Sequence, residues 1–172
     1  MKNVFLSLAA VVVLAACGPT TYTNTSANEA YSTPVNLQTT FSTQYPNAAN
    51  VSWSAYDATT VPIDWEMTGW STMDASDHVV SFDMDGQRYY AWYDTDGTWV
   101  GSTYAVDDHS KLPTAVQTLL NDRYTGYSIV KVHQEMWKDQ MAYEIKLKKN
   151  DDDKVKLLVD TQGNVLKEKL KD

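Results

Sequence analysis

The chain has 172 residues, with 14 basic and 22 acidic side chains, a formal net charge of −8 and a single cysteine. This length fits one domain or two small ones, and an apolar content of 43% is enough to build a folded core. The acidic charge argues against a nucleic-acid-binding protein, which needs a basic face to contact phosphates. One cysteine excludes a disulfide scaffold and any zinc site built from several cysteines.

Residues 1–16 have the pattern of a lipoprotein signal peptide. Lys2 supplies the positive charge, and residues 4–16 form an almost continuous apolar run that is too short to span a bilayer. The run ends in Leu-Ala-Ala-Cys17, which resembles a bacterial lipobox. The resemblance implies that Cys17 is acylated and anchors the mature chain to the membrane. The alternative is a free or buried cysteine in an ordinary secreted protein.

Residues 17–33 are predicted to form a flexible tether. Residues 18–28 are rich in Thr, Ser and Asn and carry no charge, so they lack the apolar surface that folding requires. Gly18 is not the aspartate that retains some lipoproteins in the inner membrane, and no acidic cluster follows Cys17. We therefore expect a periplasmic protein anchored to the outer membrane by lipidation, with surface exposure as the alternative.

The charge is unevenly distributed, and the sequence contains two similar units. Residues 17–110 carry twelve acidic side chains and one base, whereas residues 111–172 carry ten acidic and twelve basic ones. Residues 34–45 align with residues 113–124 at an offset of 79, and residues 94–100 align with residues 160–166 at an offset of 66. The difference, 79 − 66, places about 13 extra residues in the first unit. We predict a first repeat at 34–108, with an insertion near 57–79, and a second repeat at 109–172.

Each unit begins with a predicted helix, because a proline is followed by apolar residues at helical spacing. The two apolar stripes are Val35, Leu37, Phe41 and Tyr45, and then Val116, Leu119, Leu120 and Tyr124. Residues 143–148 and 154–159 then alternate apolar and polar side chains, as strands do, and Asp-Gly and similar pairs predict tight turns. We therefore predict an α+β fold made of a tandem repeat, in which each unit is a helix packed on a four-stranded antiparallel sheet.

The order of these motifs resembles the PepSY-like family of β-lactamase-inhibitor-like periplasmic proteins. The resemblance covers residues 34–170 and rests on short pieces at 41–48, 51–53, 93–99, 112–113, 124–127 and 160–163. It implies a β-lactamase-inhibitor-protein-like architecture, with two helix–four-strand units whose sheets form one concave surface and whose helices lie behind it. The family defines no catalytic residues that could be transferred to this chain.

Alignment of the repeats predicts a partner-binding face. Alternate apolar residues of 155–159 face the helix, so the residues between them face away from it. Their equivalents in the first repeat are Tyr90 and Trp92, with Arg88 beside them. An aromatic sheet face without a covering helix is a candidate contact surface. Alternatively, these rings pack against the insertion, which has its own large apolar residues, Trp65, Met67 and Trp70.

No catalytic or metal-binding constellation stands out. The three histidines, His78, His109 and His133, are dispersed, whereas zinc needs three or four convergent ligands. Residues 83–86 and 94–97 resemble part of a calcium loop, but neither has the glutamate required at position twelve, so hairpin turns are favoured. Residues 107–110 bring Asp, His and Ser together in sequence, which does not establish a triad in space. We predict no catalytic residue, no metal and no cofactor.

These observations predict a non-enzymatic, lipid-anchored module of the cell envelope. We expect it to bind or inhibit a protein or peptide through the concave sheet face, to contact the membrane through acylated Cys17 and not to bind nucleic acid. The alternative is a periplasmic protein that binds a small ligand or a cation such as calcium through the acidic first unit. An enzyme is the third hypothesis.

Overall fold

The computed structural model describes residues 31–151 and 153–171. Cys17, the signal peptide and most of the tether lie outside the described residues. The helices are α1 (Val35–Gln44), α2 (Trp65–Thr68) and α3 (Thr114–Arg123), and a short 3₁₀ turn covers His109–Lys111. The strands are β1 (Ala49–Ala55), β2 (His78–Met84), β3 (Gln87–Tyr93), β4 (Trp99–Ala105), β5 (Ser128–Trp137), β6 (Gln140–Lys148), β7 (Lys154–Asp160) and β8 (Val165–Lys171).

The eight strands form one antiparallel sheet in chain order, from β1 at one edge to β8 at the other. The two halves of the chain are joined by direct pairing of β4 with β5, from Ser102 opposite Met136 to Ala105 opposite His133. The predicted fold class is therefore wrong, since the molecule is a single eight-stranded sheet and not a tandem repeat of a helix on a four-stranded sheet. Pairing satisfies the backbone groups that two separate sheets would leave unpaired at their inner edges.

Helices α1 and α3 pack on the same face of this sheet. Both follow a proline, Pro34 or Pro113, whose missing N–H costs nothing at a helix start. Beneath α1 lies a cluster containing Leu37, Phe41, Val51, Trp53, Val80, Phe82, Ala91 and Tyr93. Beneath α3 lies a second cluster containing Val116, Val132, Tyr143, Ile145, Leu147, Val155, Leu157 and Val159. Because successive side chains of a strand point to opposite faces, the strand residues of both clusters come from the one face that carries the two helices.

The other face of the sheet is covered by the connection between β1 and β2. We call residues 56–77 the strap and the sheet face opposite α1 and α3 the strap face. The strap contributes Tyr56, Ile63 and Trp70 to a third buried cluster, which also contains Val79 and Trp92 of the strap face. The sheet is thus enclosed by helices on one side and by the strap on the other. Among the described residues, none of the helices combines the length and apolar character needed to cross a membrane.

Candidate functional site

The strap brings two indole rings onto a third one in the sheet. Asp64 caps the single-turn helix α2 by accepting a hydrogen bond from the backbone N–H of Glu66, at 3.1 Å. The turn places the rings of Trp65 and Trp70 edge-on to Trp92, with centroid distances of 5.5 and 5.7 Å. Trp92 is completely buried. Of the two arrangements that the sequence left open, the structure has the covered one.

A glycine in the sheet makes room for the strap. A Cβ atom on Gly101, which lies opposite Trp92 in the β3–β4 register, would be 2.8 Å from ring atoms of Trp70. Any larger residue at this position would collide with the indole, because carbon atoms do not approach so closely. The close contact between Trp70 and the bare backbone fixes how deeply the strap is seated.

The far side of α2 is held by lysines of the second half of the chain. Lys156 on β7 pairs with Asp64 at 2.9 Å, and Lys169 on β8 lies 3.8 Å from the same carboxylate and also pairs with Glu66. Lys167 donates a hydrogen bond to the backbone carbonyl of Glu66, at 2.8 Å. Burial raises the pKa of Asp64, but the hydrogen bond from Lys156 and the charges of Lys156 and Lys169 outweigh it, and the net pKa is lowered. Acidic side chains of the strap therefore lie against basic side chains of β7 and β8.

Two glutamates are buried beneath the strap. Glu135 on β5 and Glu144 on β6 are 2% and 1% exposed. Glu144 accepts a hydrogen bond from the backbone N–H of Asp64, at 2.7 Å, and its other oxygen lies 3.4 Å from the Lys146 ammonium. Burial, followed by the charge of the neighbouring Glu144, raises the pKa of Glu135 to about 9. His133, opposite Glu144, is also buried, and burial lowers its pKa to about 4.

Beside the strap, a groove remains open on the strap face over β1, β2 and β3. The groove has a volume of about 240 Å³ and is lined by hydroxyl groups and apolar groups in similar measure. Its lining residues are Ser52, Ser54, Thr60, Val61, Pro62, Val79, Ser81, Tyr90 and Trp92. A concave site with apolar walls and a few polar groups is suited to holding part of a ligand or a partner's side chain.

The three residues that the sequence singled out lie together on this face. Tyr90 is half-buried and lines the groove, with its ring stacked at 6.4 Å from Trp92. Arg88 lies at the rim, where it donates to Ser81 Oγ at 2.7 Å and pairs with Asp83 at 2.9 Å. Hydrogen bonds from Asn50 and Arg88 to Asp83 lower the pKa of that carboxyl group. Trp92 lies behind the surface of the groove and has no exposed surface of its own.

The calcium-like segments are hairpin turns in the structure. Asp85 and Gly86 both have positive φ, 52° and 75°, as the two-residue turn between β2 and β3 requires. In the other segment, Asp94 accepts the backbone N–H of Thr98 at 2.8 Å. Across residues 31–151 and 153–171, no group of three or more His, Cys, Asp or Glu side chains is placed to hold a metal ion.

Sequence reasoning missed the buried glutamates. The alternation of residues 143–148 sets apolar side chains against polar ones, and Glu144 is on the polar side. Its burial depends on a segment that lies 80 residues away in the chain. In the local sequence, the side chains of β5 and β6 that lie on the strap face include Glu, His and Lys. Such a mixture does not distinguish a buried face from an exposed one.

Comparison with known proteins agrees with this architecture. A family model described as "Putative beta-lactamase-inhibitor-like, PepSY-like" matches residues 76–167. The chain belongs to this family. The match to the PepSY-like model starts within the last residues of the strap and ends within β8, so most of the strap lies outside it. A search of curated proteins finds no significant match.

Several solved Bacteroides structures share the fold of this PepSY-like protein. A DUF2874 family protein from Bacteroides ovatus is 24% identical, with a TM-score of 0.64, covering 81% of this chain and 89% of that one. A BLIP-like protein from Bacteroides fragilis is 19% identical, with a TM-score of 0.63 and coverages of 81% and 88%. A protein from Bacteroides eggerthii, described among "putative periplasmic proteins", is 20% identical, with a TM-score of 0.62 and coverages of 81% and 90%. At these identities the likeness concerns the fold alone.

Proposed function

We propose that this PepSY-like protein is a non-enzymatic, lipid-anchored module of the periplasm that binds a protein or peptide through the groove beside Tyr90. The β-lactamase-inhibitor-like description of the family supports a binding role, and the eggerthii neighbour supports the compartment. The anchor is Cys17 with its lipobox, and residues 17–33 provide the tether to the outer membrane.

The observation that carries the proposal is the shape of the strap face. The strap fills this face over Trp92 and Gly101 but leaves a groove of about 240 Å³ between its residues Thr60 to Pro62 and the first strands. Tyr90 supplies a half-exposed ring there, and Arg88 a charged rim. Tyr and Arg are among the residue types that dominate binding energy in protein interfaces, and here both border a concave site.

The experiment places a photo-crosslinking amino acid at position 90 in the full-length, membrane-anchored protein. We expect a discrete crosslinked envelope protein from position 90 and none from position 130, because Val130 is exposed on β5 and does not line the groove. A groove-filling Ser54→Trp change, in the same crosslinking strain, is expected to remove the product while leaving the thermal unfolding midpoint close to that of the parent.

Two results would count against the proposal. A product of equal yield from positions 90 and 130 would show non-specific proximity. A product that persists in the Ser54→Trp protein would show that the groove is not the contact. Binding energy in interfaces is concentrated in a few pockets, so filling the correct one has a large effect on the complex.

A further inference from the structure

Glu135 and Glu144 are a buried pair of carboxyl groups on the strap face. Glu135 lies opposite Ala142, and Glu144 lies opposite His133, so the two glutamates are diagonal neighbours on adjacent strands. The Oε1 atom of each is buried without a hydrogen-bond partner. Lys146 of β6 reaches Glu144 Oε1 only as an ion pair, at 3.4 Å. Buried carboxyl oxygens without hydrogen bonds are costly, so the pair needs a hydrogen-bond donor.

The charges facing the pair do not balance it. On β5, His133 is neutral, because burial lowers its pKa to about 4. On β6, Lys146 is a single cation, 3.4 Å from Glu144 Oε1. The strap-face residues of β4 are Gly101, Thr103 and Ala105, which carry no charge.

The remaining charges around the site are engaged with the strap. Asp64 pairs with Lys156 of β7 and lies near Lys169 of β8. Glu66 pairs with Lys169 and accepts Lys167 at its carbonyl. Two buried carboxylates would thus share one ammonium group, an arrangement that low-dielectric surroundings penalise strongly.

One added proton supplies the missing hydrogen bond and also removes the excess negative charge of the pair. A protonated Glu135 is neutral, donates one hydrogen bond and provides the partner that an unpaired Glu144 oxygen lacks. Burial and the neighbouring carboxylate accordingly raise the pKa of Glu135 to about 9, well above its ordinary value of 4.5. Glu135 therefore holds a proton at neutral pH beside the Glu144 carboxyl group.

We propose that Glu135 and Glu144 share one proton beneath the strap and that this proton holds the strap on the sheet. Glu144 accepts the backbone N–H of Asp64, at the start of α2. Glu135 lines a cavity of about 50 Å³ together with Thr68 and Trp70 of the strap. Lifting α2 would admit water to both carboxyl groups, so strap closure and proton uptake are linked.

The pKa of Glu135 with the strap lifted and with the strap closed determines how closure depends on pH. With the strap lifted, Glu135 is hydrated and titrates near 4.5; with the strap closed, it titrates near 9. Between these values closure takes up one proton, so the closing equilibrium falls about tenfold per pH unit. The strap is therefore held most firmly in acid. Its closing equilibrium weakens as the pH rises, until Glu135 ionises in the closed form as well.

Amide hydrogen exchange of residues 64–70 tests the proposal across the neutral to mildly alkaline range, after correction for intrinsic exchange rates. The opening equilibrium of the parent protein is expected to rise by about tenfold per pH unit. Glu135→Gln keeps the size and the hydrogen-bond donor but cannot ionise, so its opening equilibrium should not change with pH. Glu168→Gln is the matched control, because Glu168 pairs with Arg123 on the helix side of the sheet and should behave like the parent.

Infrared spectroscopy of the unmodified protein gives a second readout that does not depend on any variant folding. We expect the carbonyl stretch of a protonated carboxylic acid at neutral pH, retained in Glu168→Gln and lost in Glu135→Gln. Absence of that band at neutral pH would overturn the proposal. So would a Glu135→Gln protein whose strap opens with the same pH dependence as the parent.

Discussion

Trp70 of the strap lies directly against Gly101 of β4, so close that a methyl group at position 101 would be 2.8 Å from the indole. The contact joins a segment that follows β1 to a strand near the middle of the sheet. It sets the distance between strap and sheet, and the packing of Trp65, Trp70 and Trp92 depends on it.

Gly101→Ala is therefore expected to destabilise the protein by about 1–3 kcal/mol, the usual cost of overpacking a core. The measurement is urea unfolding followed by tryptophan fluorescence. In a double-mutant cycle, Trp70→Ala should remove the part of the effect that comes from the indole. The part that comes from the backbone carbonyl of Met136, which would lie 2.9 Å from the added methyl group, should remain. Independent, additive losses from the two changes would contradict the proposed collision.

Trp92→Ala is expected to cost about 3–5 kcal/mol, because it deletes a fully buried indole beneath two others. Tyr90→Ala, at the neighbouring half-buried groove position, should cost much less, about 1 kcal/mol. Thermal unfolding of both variants measures the difference. Equal losses would mean that Trp92 is not the centre of the third cluster.

Asp64→Asn is expected to weaken the strap's attachment to β7 and β8 by about 1 kcal/mol, a modest value because the pairs with Lys156 and Lys169 are partly exposed. The folded-state pKa of Asp64 is lowered, so its contribution is present above the unfolded value of 3.8 and is lost as pH falls through the folded value. The stability difference between parent and variant, measured by urea unfolding, should therefore shrink in strong acid and in high salt. A difference that does not depend on pH or salt would exclude the ion pairs as its cause.

Cys17→Ser should release the protein from the membrane fraction, because Cys17 is the proposed acylation site and the sequence has no second cysteine. Metabolic labelling with a radioactive or alkyne-tagged fatty acid, followed by fractionation, measures both events. The parent should be labelled and sediment with membranes, and the variant should be neither labelled nor sedimented. A labelled Cys17→Ser protein would place the acyl group elsewhere.

The sequence by itself determined the local features of this protein. Proline followed by an apolar stripe predicted helices where α1 and α3 begin, and alternation showed which residues of β7 lie beneath α3. Asp85-Gly86 predicted a two-residue turn. These features depend on residues close together in the chain, and a period of 2 or 3.6 reveals which face a side chain occupies.

Only the tertiary structure decided what covers each face and which strand edges meet. The pairing of β4 with β5 turned two expected sheets into one, because unpaired backbone groups at two inner edges satisfy each other. The strap then buried Trp92 and Glu144, which the local pattern had left facing away from the helices. Burial is set by contacts between distant segments, Asp64 with Glu144 and Trp70 with Gly101, and no local period encodes such contacts.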